Sequence, residues 1–258
     1  MPGVLSHSLL DGQLCLYLLP RAAYSARDPL QWRTLGMTLE RQQGVHAIGS
    51  DLRVDFDTLP GVLAQTPAGV EVFSESAEGG EYLALRLAPA LVEQWLPVLD
   101  RRVQQAGHRR GLKLAQTLRR LMLDPHPDGL AIEQCALGFV ALGRSVKADG
   151  GGAVSDAFLR VLERIAGEFD QPLTLAQLAQ TYGENELRLL RDFSRFMGVT
   201  PHAYLVEVRL QAARRLIESS DRALAQIALE VGFAHQSHMG SAMRRQLGMT
   251  PGAYRLRF

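Results

Sequence analysis

The chain has 258 residues, a formal net charge of +1, 47% apolar side chains and 21% charged ones. That length accommodates two ordinary domains with cores of their own, and the balance fits a globular protein rather than a disordered or fibrous one. No run of roughly eighteen apolar residues occurs, so no membrane span is expected. The two separated cysteines, Cys15 and Cys135, form no disulfide framework and fit a reducing, cytoplasmic setting.

The opening stretch Met1-Pro2-Gly3-Val4-Leu5-Ser6-His7 lacks a basic region before an apolar run, so no secretory signal is expected. Residues 1 to about 90 read as β-rich. Leu14 to Leu19 is a short apolar run between Gly12 and Pro20. Leu52-Arg53-Val54-Asp55-Phe56, Val70-Glu71-Val72 and Tyr82 to Leu87 alternate with period two. Pro60-Gly61, Pro67-Ala68-Gly69 and Gly79-Gly80 punctuate them, a pattern that predicts a small barrel or sandwich.

From Pro89 the pattern turns helical. Leu91, Val92, Trp95, Leu96 and Leu99 recur at three and four residues, Leu114, Leu118 and Leu121 share a face, and Leu130 to Leu142 reads as a buried or interface helix. Lys147 to Ala153 holds three consecutive glycines and reads as a tether. The expected organisation is α+β: a domain over 1–149, β-rich to about 90 and helical over 91–145, a linker over 150–153, and an all-α domain over 154–258.

Catalysis finds little support in the residues. His7, His46, His108 and His126 are scattered, no His-x-His occurs, and no Gly-x-Ser-x-Gly or phosphate-binding glycine loop is present. No catalytic residue, metal ligand or cofactor is therefore expected. His235-x-x-His238 is the close pair, and it reads as two exposed polar side chains rather than a metal site.

The segment Leu173 to Tyr254 is written twice. Leu178-Ala179, Gly183 and Thr200-Pro201-His202-Ala203-Tyr204 return as Ile227-Ala228, Gly232 and Thr250-Pro251-Gly252-Ala253-Tyr254. The second copy carries one extra residue just after Gly232. Each copy predicts a short helix, a glycine turn and a second helix. Thr-Pro stops that second helix and starts the next, as its cap and first helical residue. Small residues inside, glycine at the turn and a polar front on the second helix describe a helix-turn-helix. Every basic residue after Lys147 is arginine, and from Arg209 onward eight arginines face three acidic residues. Arginine's planar fork suits phosphate and guanine.

At fixed spacing, Ile227-Ala228-x-x-x-Gly232-Phe233-x-x-Gln236-Ser237-His238 is followed by Arg244-Arg245-x-x-Gly248-x-Thr250-Pro251-x-x-Tyr254-Arg255. This resembles the signature of AraC/XylS-type bacterial transcription regulators, and Arg209-x-x-x-Ala213-Arg214-x-Leu216-Ile217 resembles that family's linking helix. The resemblance covers roughly residues 155 to 258. It implies a sequence-specific regulator bound to double-stranded promoter DNA and active as a homodimer. RNA polymerase is a further expected partner where such a chain acts as an activator. By position, the front half looks like a cupin-like sensor barrel for a small-molecule effector whose site the sequence does not specify. A constitutive regulator whose front half only dimerises, and a pure protein-interaction module, are the competing readings. Effector-induced stabilisation and salt-dependent promoter binding would separate them.

Residue by residue, the expected DNA contacts are Asn185, Glu186, Leu187, Arg188, Leu190 and Arg191 in the first unit. In the second they are His235, Gln236, Ser237, Gly240, Ser241, Arg244 and Arg245. Leu189 and Phe193 are expected to point inward. Where the family's second unit usually shows an aromatic, an arginine two residues on and another aromatic, this chain has Met239, Ser241 and Met243.

Overall fold

The computed structural model describes residues 3–145 and 154–257. Two compact units result, 1–152 and 153–258. The expected glycine tether at 150–153 lies outside the described residues. Among those described, no helix is long and apolar enough to cross a membrane.

The N-terminal unit is built on two antiparallel sheets. Strands β1 (Leu5–Leu9), β2 (Leu14–Leu19), β9 (Tyr82–Leu87), β4 (Arg33–Thr38), β7 (Leu63–Thr66) and β10 (Val103–Gln105) form one, in the order β1-β2-β9-β4-β7-β10. Strands β3 (Tyr24–Arg27), β8 (Val72–Ser76), β5 (Gln42–Ile48) and β6 (Val54–Thr58) form the other, in the order β3-β8-β5-β6. Register explains why the first sheet holds. Leu14, Leu16 and Leu18 lie opposite Leu87, Leu85 and Leu83, and Leu35 and Met37 lie opposite Leu85 and Leu83. Residues paired across antiparallel strands share a face, so these side chains make one continuous apolar surface, buried to 4% exposure or less.

Helices α1 (Pro89–Trp95), α2 (Arg109–Leu123) and α3 (Gly129–Val140) follow the strands. Leu112, Ala115, Leu118 and Met122 are the buried face of α2, and Ile132, Ala136, Phe139 and Val140 that of α3. A Cβ added at Gly111 would come within 2.6 Å of the Met37 methyl group, so α2 sits close on the apolar face of β4. Deep in this layer, Arg119 of α2 pairs with Glu81 at 2.8 Å, and a Glu40 carboxylate oxygen accepts from the Glu81 amide at 2.8 Å.

Several sequence expectations shift here. The apolar run from Leu91 continues to Leu99, but α1 stops at Trp95 because Pro97 disfavours helix in the residue before it, and Leu96 is extended. The span 91–145 is not wholly helical: β10 lies within it and closes the edge of β7. Leu114 and Leu121 are only half-buried, since the inward face of α2 is set one position away. Strand β6 starts at Val54, leaving Leu52 71% exposed, and β8 starts at Val72 rather than Val70.

His108 caps α2: its unprotonated Nδ1 accepts from the Gly111 amide at 3.0 Å. Burial, the largest cause, holds its pKa below 6.5, with Arg110 acting the same way and its backbone hydrogen bond opposing. His46 is lowered too, by burial and then by Arg102. A histidine with a depressed folded pKa binds its proton better in the unfolded chain. Its contribution is complete above the unfolded value of about 6.5 and is lost as pH falls below it. Calorimetry of the full chain should show the N-terminal transition moving down between pH 7.5 and 6, and His108→Asn, which keeps a capping oxygen, should flatten the slope. A pH-independent transition would contradict this. Asp28, raised by burial, contributes with the opposite sign as its carboxyl protonates, which is why the comparison with His108→Asn is needed to isolate the histidine.

The C-terminal unit is all helix: α4 (Asp156–Gly167), α5 (Leu175–Tyr182), α6 (Glu186–Met197), α7 (Pro201–Ser219), α8 (Leu224–Glu230), α9 (Gln236–Leu247) and α10 (Pro251–Arg255). Its first core is aromatic, with the Phe158 ring 5.3 Å from Phe193 and 5.1 Å from Phe196, and Phe193 5.6 Å from Tyr204. Its second is aliphatic and thioether, with Ile227, Ala228, Met239 and Met243 fully buried.

Candidate nucleic-acid interface

Two helix pairs, α5–α6 and α8–α9, repeat one local design. Thr174 opens α5 with a reciprocal capping box: its hydroxyl accepts from the Gln177 amide, and the Gln177 side chain accepts from the Thr174 amide. Gly183 ends α5 at φ 78°, and the Asn185 side chain then caps α6 by accepting from the Arg188 amide at 2.9 Å. In the second pair Gly232 turns at φ 84° and the cap is His235, whose Nδ1 accepts from the His238 amide at 3.2 Å. Glycine is required twice over at 232, because a Cβ there would lie 2.8 Å from the Asp170 carbonyl oxygen. From Gly183 to its cap is one residue shorter than from Gly232, the insertion legible in the sequence.

Helix α7 binds the two pairs together. Thr200 and Thr250 cap α7 and α10 identically, accepting from Ala203 and Ala253 amides at 3.2 and 3.1 Å. Arg209 on α7 donates to the carbonyls of Phe169 and Gln171 at 2.7 and 2.9 Å, holding the loop that leads into α5. Arg214 donates to the Tyr254 hydroxyl at 3.1 Å, and that hydroxyl also bonds Glu218. Burial, chiefly, pushes the Tyr254 phenol up to about 12, so it stays protonated as a donor. These polar ties fix α10 against the linking helix.

The front of α6 leaves Glu186, Leu187, Arg188 and Arg191 exposed and Leu190 half-exposed, while Leu189 and Phe193 are fully buried. Leu187 is 74% exposed, while Leu189 two residues on is fully buried. One arrangement was invisible to residue-type reasoning. Asp192 is buried, accepting from Arg188 Nε at 2.7 Å and from the Tyr182 hydroxyl at 2.9 Å. The guanidinium of Arg188 is thereby oriented at the rim of the helix rather than swinging freely. The i,i+4 spacing of Arg188 and Asp192 was the available signal.

The front of α9 exposes Gln236, Ser237, Ser241, Arg244 and Arg245, with Arg244 reaching Ser241 at 3.4 Å. The expectation that Gly240 faces outward is corrected. It is buried, and its Cβ position faces Pro251 at 3.7 Å, an ordinary van der Waals distance, so this position of α9 faces the start of α10 rather than the exposed front. His235 serves as the cap, and His238 packs edge-on to Phe233 at 5.2 Å. Among the described residues no cluster of three or more histidine, cysteine or carboxylate groups could hold a metal.

Residues 178–257 match a family model described as a helix-turn-helix domain. The C-terminal unit is an AraC/XylS-type helix-turn-helix domain. The chain is similar to the transcriptional regulator MtrA of Neisseria gonorrhoeae, 26% identical over 37% of this chain and 32% of that protein. It is also similar to the transcriptional activator RhaR of Klebsiella pneumoniae, 28% identical over 38% of this chain and 35% of the relative. These matches span about a third of the relatives' length. Among solved structures, the DNA-binding domain of AdpA, crystallised with a target DNA, is 28% identical over 40% of this chain and 93% of that one, with a TM-score of 0.39. The AraC-type domain accounts for every element from α5 to α10; the N-terminal sheets lie outside the matched region.

The N-terminal unit offers a different kind of site. The second face of the first sheet carries Thr38, Ala64, Tyr82 and Arg86, and the second sheet contributes Tyr24, His46, Phe56 and Ser74 to the same cavity of about 460 Å³. Its size falls in the range of small-ligand pockets. The sequence singles out no effector residues here, because inward side chains that are small or polar read as solvent-facing.

Proposed function

We propose that the chain is a sequence-specific DNA-binding transcription regulator, homodimeric, whose N-terminal unit takes a small-molecule effector in the cavity between its sheets. The observation that carries the DNA reading is the pair of capped recognition helices with polar, arginine-bearing fronts, joined by one linking helix. Nineteen residues of α7 at about 1.5 Å each span roughly 28 Å, comparable to the roughly 34 Å between successive major-groove faces. One chain can therefore place α6 and α9 on one side of a duplex. The cavity supports the effector reading, because a protein that needed only a core there would fill it.

The two helices should read unequally. Arg191 on α6 can donate a bidentate pair to guanine, and exposed Leu187 can meet a thymine methyl group. On α9, Gln236 can read adenine, but Ser241 has one short hydroxyl and Gly240 is turned into the packing. Arg244 and Arg245 serve phosphate, fixing register. Selection of sites from random DNA by the purified protein should give a lopsided half-site, strict at the bases facing α6 and permissive one helical turn away. Equal information in both blocks would count against the assignment. Binding should weaken steeply with salt, because phosphate contacts release counterions; salt-independent association would point to a protein partner instead.

A further inference from the structure

The polar part of the N-terminal cavity lining carries an excess of half-buried positive charge. Arg86 on β9 and Arg102, just before β10, both line it, together with Asp28, Tyr24, Tyr82 and His46. The Nε of Arg86 and the Nε of Arg102 are each buried without an acceptor among the described residues. Their other contacts do not neutralise them: the Arg86 guanidinium lies 4.8 Å over the Tyr17 ring, and Arg102 donates to the Thr66 hydroxyl at 2.7 Å. Among the described residues that line the cavity, Asp28 is the one carboxylate, and both arginines act on it. Arg27 also reaches the cavity wall, but it is paired with Glu71.

The remaining titratable groups leave the balance unchanged. Burial raises Tyr24 and holds Tyr82 at about 12, so both hydroxyls stay neutral, and His46 is lowered, so it is neutral at pH 7. Two half-buried cations against one carboxylate leave about one uncompensated positive charge facing the cavity, and an anion there gains two partners already shielded in part from water. A monoanion restores neutrality, whereas a dianion would leave the opposite excess. Leu19, Ala23, Val62, Ala64 and Val72 supply apolar lining, among neutral polar side chains such as Thr38, Gln42 and Ser74. Position 36 adds a structural reason for the head-group geometry. A Cβ on Gly36 would fall 1.7 Å from the Tyr82 hydroxyl oxygen, so the absence of a side chain lets that phenol lie flat across β4 beside Arg102.

We propose that the effector is an organic monocarboxylate with an apolar body, its carboxylate held by Arg86 and Arg102 and its body seated among Leu19, Val62 and Val72. The inference rests on the effector reading above and specifies its ligand. Charge-assisted bonds to two arginines are stronger and more directional than the neutral bonds a hydroxyl or amide could make there.

The experiment uses the full chain and two matched sets of probes: 4-phenylbutanoate with its amide and its amine, and octanoate with its amide and its amine. Thermal shift and isothermal calorimetry read binding. The expected result is stabilisation by both carboxylates and at least tenfold weaker binding of the amides and amines. Arg86→Met and Arg102→Met should each weaken carboxylate binding at least tenfold, with circular dichroism confirming that the variants fold. The comparison of carboxylate with amide needs no variant, so a misfolded mutant does not leave the matter open. Amides or amines binding as well as the carboxylates would overturn the anion assignment while leaving the cavity as an effector site. No binding by any of the six probes would overturn both.

Discussion

Replacing Arg119 with methionine is expected to destabilise the N-terminal unit by about 3–5 kcal/mol, the usual cost of removing one partner from a buried ion pair. Arg119 and Glu81 are 1% and 2% exposed at the side chain and lie 2.8 Å apart. Without the guanidinium, the Glu81 carboxylate keeps its burial but loses the cation that offsets it. The Glu40 carboxylate, which accepts from the Glu81 amide, holds the Glu81 backbone in place. Charge removal on both sides should behave differently. The pair Glu81→Met with Arg119→Met exchanges two desolvated charges for apolar volume, and should recover a large part of the loss. Calorimetry of the full chain, following the N-terminal transition, measures both. Single and double variants whose effects simply add would show that the two groups are not coupled.

How much of this architecture could be read from the chain depends on what each residue faces. The C-terminal domain was legible because its local rules agree with its packing. Thr174, Asn185, Thr200 and Thr250 are capping residues that cap, Gly183 and Gly232 are turn glycines at positive φ, and Leu189 and Phe193 fall on the buried face. Duplication added a second, independent statement of the same pattern. Only Gly240 broke it, because a glycine's burial is decided by what comes close to it, here Pro251, and not by its own chemistry.

The N-terminal unit was legible only where burial is one-sided. Leu14 to Leu19 and Tyr82 to Leu87 stand as strands because leucines at every second position go under helices. Strands β4, β5 and β7 escaped notice because their other face borders the cavity. There Gly36, Thr38, Gln42, His46 and Ala64 replace the apolar partners that would have completed an alternating signal. Strand β10, with Val103-Gln104-Gln105, is too short to carry a pattern and exists because β7 offers it an edge. The cavity was thus hidden by the very feature that makes it a cavity.

The sharpest separation of fold from recognition lies within a single helix, at two positions that point in opposite directions. Phe193→Ala should cost about 3–5 kcal/mol in the stability of the C-terminal unit. Its ring is fully buried and touches Phe158 on α4 and Tyr204 on α7, so truncation opens a void where three helices meet. Backbone relaxation cannot readily fill that void, because α6 is fixed at one end by the Asn185 cap and at the other by Gly198 at φ 72°. Arg191, two residues earlier, is exposed. Arg191→Ala should therefore leave the melting transition nearly unchanged while costing about 1–3 kcal/mol of discrimination at one base pair. Arg188→Ala belongs to neither class. Losing the guanidinium leaves the buried Asp192 carboxylate with Tyr182 as its hydrogen-bond donor, so both stability and binding should fall. Denaturation curves and competition with single-base-substituted sites, measured on the three variants, test the assignment together. A Phe193→Ala protein of normal stability, or an Arg191→Ala protein that melts early, would mean that α6 turns a different face to its core than the one described, and the proposed readers would fall with it.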